Sequence, residues 1–349
     1  MSVLVHEFSN GVMLPVVSLG CWCLEAKDES TKSAVAMALK TGYKALDDAF
    51  CYENEAVIGP IVSKFDGKAT AHTDVKECGP FKVVSEEEFR KSFEKPHGKP
   101  RDDRKIFVTS KVWVTHFTPA GVREQCEEHL KNFDRSSCDL MLLHWPGIHV
   151  GFDEPESSGG SNPLFTLENQ KADQTQTRIT CWRTMEQMYH EGKFRAIGVS
   201  NYMPKHLLPI LEDVKARKAA GDLKAMYPMV NQIELNVFCQ IPQDLDKICK
   251  DHGILITSYS TLGGVNSVAK HITHPVVTKI AAKHNVKPAA VLLRWAMQMG
   301  YTVLPRSTKD ERVVDNFNLF HFNMDNEEMK ELTALNSNER NLMDPNEIN

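Results

Sequence analysis

The chain has 349 residues, of which 42% are hydrophobic and 25% charged, with a formal net charge of −5. This balance excludes a disordered chain, a collagen-like repeat and a disulfide-dense mini-protein. The acidic excess gives no reason to expect nucleic acid or an anionic membrane as partner, and no apolar run reaches the roughly 18 residues of a membrane-spanning helix. In chain order, short β-rich runs alternate with longer amphipathic stretches. Strands are predicted over 16–22, 43–50, 105–113, 139–146, 194–201, 226–236, 254–260 and 301–305. Most are rich in Val, Ile, Leu and Met without strict alternation, the pattern of strands buried on both faces. Helices are predicted over 31–41, 119–133 behind Pro119, 179–192 ending at Gly192, 203–216, 242–253, 276–300 with a break near Lys287-Pro288, and 310–316.

Eight strand–helix alternations predict a parallel α/β fold, a single (β/α)8 TIM barrel domain over 1–349 with an N-terminal β-hairpin. An open doubly wound sheet is the competing architecture. No strand-to-helix turn reads G-x-G-x-x-G or GxxxxGK[ST], the marks of nucleotide-binding open sheets. Two long insertions, at about 63–104 and 148–178, are polar and read as loops. The second leaves the C-terminal end of a strand, where barrel active sites lie, and is the better candidate for substrate contact. The nine cysteines include no Cys-x-x-Cys pair, and His6 and Glu7 stand where a signal peptide needs apolar residues. Free thiols in a reducing, cytoplasmic setting are therefore expected.

Strand after strand, an apolar run ends in a polar or ionisable group: Asp47 and Tyr52, Lys111, His144, Ser200 and Asn201, Gln232 and Asn236, Tyr259, Arg306 and Ser307. In a closed barrel these ends converge on one rim. Taken singly, each has a structural explanation. His144 can be a satisfied rim histidine, Lys111 a lysine reaching for water, Asp47 a helix cap and Tyr52 a packing residue. Together, Asp, Tyr, Lys and His on three successive strand ends can pair their charges and tune a phenol.

The segments LP-x4-GCW, GYKALDDAFCYENEAVIG, VTSKVW, DLMLLHWP, AIGVSN, VNQIELN, SYSTLG and LPRST-x3-RVVDN, in this order, resemble the signature segments of the aldo-keto reductase family over about residues 5 to 342. The resemblance implies a barrel that binds NADPH and reduces a small-molecule carbonyl substrate: aldehydes, with aldoses and some ketones in its range. It places the catalytic tetrad on Asp47, Tyr52, Lys111 and His144, with Tyr52 as general acid, Lys111 lowering its pKa, Asp47 as counter-ion and His144 at the carbonyl oxygen. It places nicotinamide contacts on Ser200, Asn201, Gln232 and Tyr259, and pyrophosphate contacts on Ser260, Leu262 and Gly263. The 2′-phosphate falls to Arg306, Ser307 and Arg312, and the adenine to Asp315 and Asn316. Trp22, Trp113 and Trp145 match the substrate pocket. A monomer is the implied state. The alternatives are a dehydrogenase or dedicated-metabolite reductase of the same family, or a nucleotide-binding regulatory subunit of a channel.

The chain departs from the family pattern at several positions. Arg306 stands where Lys is usual, and Ser18 and Cys21 replace small residues. Asp48 sets a second acid beside Asp47, and strand alternation turns it to the opposite face. Thr261 replaces a common Pro, which predicts a less stiff pyrophosphate loop. The short tail after Leu342 predicts an open pocket, with the second insertion as its possible cover. Cys51 adjoins the tetrad and is a candidate for oxidation. His271 with His274, and His72 with Cys78 and His97, match no metal-ligand spacing, so no metal is expected.

Overall fold

The computed structural model describes residues 2–65, 67, 75–98, 105–149 and 167–349. The chain starts with β1 (Ser2–Glu7) and β2 (Met13–Pro15), an antiparallel hairpin in the register Val5–Pro15 and His6–Leu14. Then follow β3 (Leu19–Gly20), α1 (Glu29–Thr41), β4 (Ala45–Asp47), α2 (Glu55–Ser63), β5 (Lys82–Ser85), α3 (Glu86–Ser92), β6 (Phe107–Val112), α4 (Pro119–Asn132) and β7 (Cys138–Leu143). The second half holds α5 (Leu167–Lys171), α6 (Thr175–His190), β8 (Phe194–Ser200), α7 (Pro204–Ala219), β9 (Val230–Glu234), α8 (Gln243–Asp251) and β10 (Leu255–Tyr259). It ends with α9 (Gly264–Ile272), α10 (Pro275–His284), α11 (Pro288–Gln298), β11 (Thr302–Val303), α12 (Asp310–Phe317) and α13 (Asn326–Thr333).

The eight predicted strands correspond to β3, β4 and β6 to β11, and they pair in parallel in chain order. Every position of β4, β6, β7, β8 and β9 is buried, so none of them shows the in-out alternation of a half-exposed strand, and the polar residues of β6 and β9 lie inside the fold. The barrel closes where Val17 bridges Val303, with Ser18 N–H donating to Val303 O at 3.0 Å and Gly20 N–H to Pro305 O at 3.1 Å. A Cβ at Gly20 would stand 2.8 Å from Leu304 O, so this seam requires glycine.

Local signals set the helix ends. Thr118 caps α4 by accepting from Gly121 N–H at 3.0 Å, with Pro119 in the first turn. The predicted break inside 276–300 falls where left-handed Asn285 ends α10 and Pro288 starts α11.

The first insertion differs from its reading as a loop. Its described part contains β5 and α3, and β5 pairs antiparallel with β1 from Ser2–Ser85 to Val5–Lys82. The resulting three-stranded sheet lies at the N-terminal end of the barrel, because β2 runs directly into β3. In the second insertion α5 and the first turn of α6 are ordered elements. Residues 150–166, and with them any cover they give the pocket, lie outside the described residues, as does His72.

Candidate active site

Asp47 ends β4, Tyr52 lies in the single 3-10 turn Phe50–Tyr52 that follows, Lys111 lies near the end of β6, and His144 directly follows β7. Parallel pairing of β4 with β6 and of β6 with β7 brings the four to adjacent positions on the C-terminal rim. The Lys111 ammonium is fully buried and donates to three oxygens: Asp47 Oδ1 at 2.6 Å, the main-chain O of Asp48 at 2.7 Å and Tyr52 OH at 3.2 Å. An ammonium has three donors, so all are used. Asp47 Oδ2 accepts from Gln232 Nε2 of β9 at 2.7 Å. This satisfaction offsets much of the desolvation cost of the buried pair.

Burial pushes the Tyr52 phenol well above its ordinary range, and the Asp47 charge adds to the rise. Lys111 Nζ, 3.2 Å from the phenol oxygen, is placed to stabilise the phenolate once the proton leaves. Burial, then the Lys111 charge, hold His144 well below the ordinary imidazole range. Tyr52 therefore stands protonated and His144 neutral. The His144 ring meets Tyr52 and Trp113 edge-on, with centroids 5.8 and 5.1 Å away.

A polar cluster continues the site across the rim. Asn201, at φ 63°, donates from Nδ2 to His144 O at 3.0 Å and to Ser200 Oγ at 3.2 Å. Its Oδ1 accepts from Tyr259 OH at 2.6 Å, and Ser200 Oγ donates to Gln232 O at 2.8 Å. Ser200, Asn201, Gln232 and Tyr259 are thereby tied to each other and, through Gln232–Asp47 and Asn201–His144, to the tetrad. Ser260 and Gly263 take left-handed backbone conformations at φ 51° and 100°, and Leu262 packs half-buried on the core. Thr261 is tied into this loop: its Oγ1 lies 2.7 Å from Ser258 Oγ and donates to Ser258 O at 3.1 Å. Arg306 follows β11 and donates to Cys23 O, while its Nε is buried without a partner. Ser307 Oγ accepts from Lys309 N–H at 3.0 Å, and the start of α12 has no side-chain cap. Arg312 is exposed, Asp315 half-buried and Asn316 buried on that helix. The ion pair that the spacing of Arg312 and Asp315 allows is not formed.

A family model described as "Aldo/keto reductase family" matches residues 16–337. The chain belongs to the aldo-keto reductase family. It is 31% identical over 342 residues to the glyoxal reductase of Bacillus subtilis (strain 168), covering 98% of this chain and 96% of that protein. It is 30% identical over 328 residues to aldose reductase B of Dictyostelium discoideum, at 94% and 90% coverage. A solved structure of the aldose reductase from Schistosoma japonicum superposes with a TM-score of 0.71 at 31% identity, over 97% of this chain and 94% of that one. A deep-sea metagenome aldo-keto reductase, MGS-M4, gives 0.72 at 26% identity, over 97% of each chain.

In this aldo-keto reductase the tail does not leave the rim open as its length suggests. Ile348 is fully buried in a small apolar cluster with Trp113, Val114 and Trp145, against which Phe50 and Met343 pack. Three groups that the sequence reading did not single out anchor the strap. Glu234, at the end of β9, accepts from the main-chain N–H groups of Asn341 and Leu342 at 2.7 and 3.1 Å. A His206 ring nitrogen lies 2.8 Å from Ile348 O, and Arg178 donates to Pro146 O at 2.9 Å and to Asn349 O at 2.6 Å. Glu234 carried the same signal as the tetrad, an ionisable group ending an apolar strand. Arg178 and His206 lie on helices and gave none. Trp22 stays 39% exposed and is not part of this cluster. His271 is buried against Phe238, at 4.5 Å between centroids, and His274 caps α10. Cys78 is buried, and a ring nitrogen of His97 lies 3.1 Å from Phe194 O.

Proposed function

We propose that the protein reduces aldehydes, with aldoses and some ketones in its range, to alcohols with NADPH, Tyr52 acting as general acid. The observation that carries this is Lys111 Nζ seated between Asp47 Oδ1 at 2.6 Å and Tyr52 OH at 3.2 Å on the barrel rim. The phenol is held protonated by burial, so it stands ready as an acid. When it gives its proton to a carbonyl oxygen, the phenolate left behind faces a fixed cation 3.2 Å away. Asp47 keeps that cation charged and aimed. His144, neutral and beside the Tyr52 ring, offers a second donor to the same oxygen.

The residues present fit a phosphorylated dinucleotide. The buried, unpartnered Nε of Arg306 and the uncapped start of α12 make a cationic, donor-rich corner. Arg306, Ser307 and Arg312 would hold the 2′-phosphate there. Asp315 and Asn316 would hold the adenine, and Ser260, Leu262 and Gly263 the pyrophosphate. Ser200, Asn201, Gln232 and Tyr259 would hold the nicotinamide. The bound nicotinamide supplies the hydride. Trp113 and Trp145, with Trp22 at the edge, would line the substrate side. The reading extends to a monomer of one barrel domain over 1–349, working in the cytoplasm. The nine free thiols support the reducing setting, and no helix among the described residues is long and apolar enough to cross a membrane.

The test follows absorbance of the reduced nicotinamide while purified protein meets a panel of aldehydes, with NADPH and NADH in parallel. Several aldehydes should be reduced, faster with NADPH. No turnover across the panel, with NADPH still binding by fluorescence quenching, would refute an aldehyde reductase.

A further inference from the structure

The His144 imidazole has two ring nitrogens, and only one carries hydrogen when the ring is neutral. Which one decides whether His144 donates to a carbonyl oxygen or repels it with a lone pair. One polar group within reach of the ring bears on this choice. Cys51 Sγ lies 3.6 Å from His144 Nδ1. It is delivered there by the same turn, Phe50–Tyr52, that presents Tyr52. Among the described residues Nε2 has no hydrogen-bond partner, so Cys51 is the one polar group holding the ring from behind.

The state of the two partners fixes the direction of this contact. Burial pushes the Cys51 thiol up, past the partial relief from Lys111, so the sulfur keeps its hydrogen. Burial and Lys111 hold His144 neutral. A thiol sulfur is a weak acceptor and an unprotonated imidazole nitrogen a good one. The contact is therefore better made with S–H donating to Nδ1 than with Nδ1–H donating to sulfur. The Trp113 and Tyr52 rings pack edge-on against the imidazole, with centroids 5.1 and 5.8 Å away, so a ring turning away from the sulfur would meet one or the other.

We propose that Cys51 is a positioning residue that donates its S–H to His144 Nδ1, keeps the ring hydrogen on Nε2 and so presents His144 to the substrate oxygen as a donor. This rests on the role given to His144 above. It assigns the thiol a standing function in the reduced protein, whether or not it is ever oxidised. A side chain at position 51 that fills the space without donating leaves the tautomers free to mix.

The experiment is long-range proton–nitrogen correlation NMR on the ligand-free protein labelled with 15N at its histidine rings. The His144 signals are identified by their loss in His144→Gln. The wild type should show the Nε2–H form. Cys51→Ala should show a mixture of forms, with kcat/KM for an aldehyde lowered roughly three- to tenfold, the scale of one lost modest hydrogen bond. Cys51→Ser, whose hydroxyl also donates, should restore both the tautomer and the rate. A wild-type ring in the Nδ1–H form, or an unchanged tautomer in Cys51→Ala, would overturn the proposal while leaving the reaction class intact. Full turnover by His144→Gln would instead overturn the role of the histidine, whatever its tautomer.

Discussion

Asp47 and Asp48 are neighbours on one strand end, and a single step along the chain separates their chemistry. Asp47 faces the rim and pairs with Lys111 and Gln232. Asp48 is fully buried on the other side, accepts from Ala49 N–H at 2.9 Å through Oδ1, and leaves Oδ2 without a partner. Burial, then the Glu55 charge, push its carboxyl well above the usual carboxylate range. A folded-state pKa raised above the unfolded value means that the native state holds the proton more tightly. Its contribution to stability is greatest below the unfolded pKa of about 3.9 and is lost as pH rises through the folded value. Asp48→Asn copies the protonated shape and has nothing to lose. It should therefore raise the unfolding midpoint at pH 7, with an advantage over wild type that shrinks toward pH 4. Urea titrations at both pH values test this, and equal differences would contradict it. The place of Asp47, Tyr52, Lys111 and His144 was legible because each ends, or follows closely, an apolar strand. Alternation also told that Asp48 faces away, but nothing local told whether that face meets water or, as found, the barrel wall.

At the scale of elements, what the sequence revealed tracks how local the cause is. The eight barrel strands were legible because burial on both faces writes a continuous apolar run. The strand Lys82–Ser85 was not, because it exists only by pairing with Ser2–Val5, some 80 positions away. The helix after it did carry a local mark, the capping box of Ser85 with Glu88. The helix Gly264–Ile272 went unmarked because it opens on two glycines in place of a start signal, whereas Asn326–Thr333 carries a capping box of Asp325 with Glu328 that was passed over. The strap 340–349 was misjudged because its partners Glu234, Arg178 and His206 come from three distant elements. Docking of this strap turns on Ile348, and removing a buried isoleucine's methyl groups costs about 2–5 kcal/mol where the cavity cannot collapse. Ile348→Ala should undock the strap rather than unfold the barrel. Hydrogen exchange over 340–349 should quicken and tryptophan emission shift to the red as Trp113 and Trp145 meet water, with the midpoint of global unfolding nearly unchanged. Unchanged exchange in the strap would show that its polar anchors suffice.

For the whole molecule, barrel closure is what turns separate strand ends into one site. Gln232 reaches Asp47 at 2.7 Å although 185 positions separate them, and Arg306 reaches back to Cys23 across the seam. The rim thus joins a chemical centre near Tyr52 to a cationic corner at the start of the helix Asp310–Phe317. Arg306→Ala removes the guanidinium of that corner and should weaken NADPH binding at least tenfold more than NADH binding, read by fluorescence quenching. Equal losses for both nucleotides would place the 2′-phosphate elsewhere. The measurement that tests the account most directly is turnover of Tyr52→Phe beside its cofactor affinity. Deleting one hydroxyl leaves the ring and its packing in place. The account predicts reduction lowered by at least about a thousandfold, with the dissociation constant for NADPH within a few-fold of wild type. A Tyr52→Phe enzyme that still turns over at an appreciable fraction of the wild-type rate would show that the proton comes from another group.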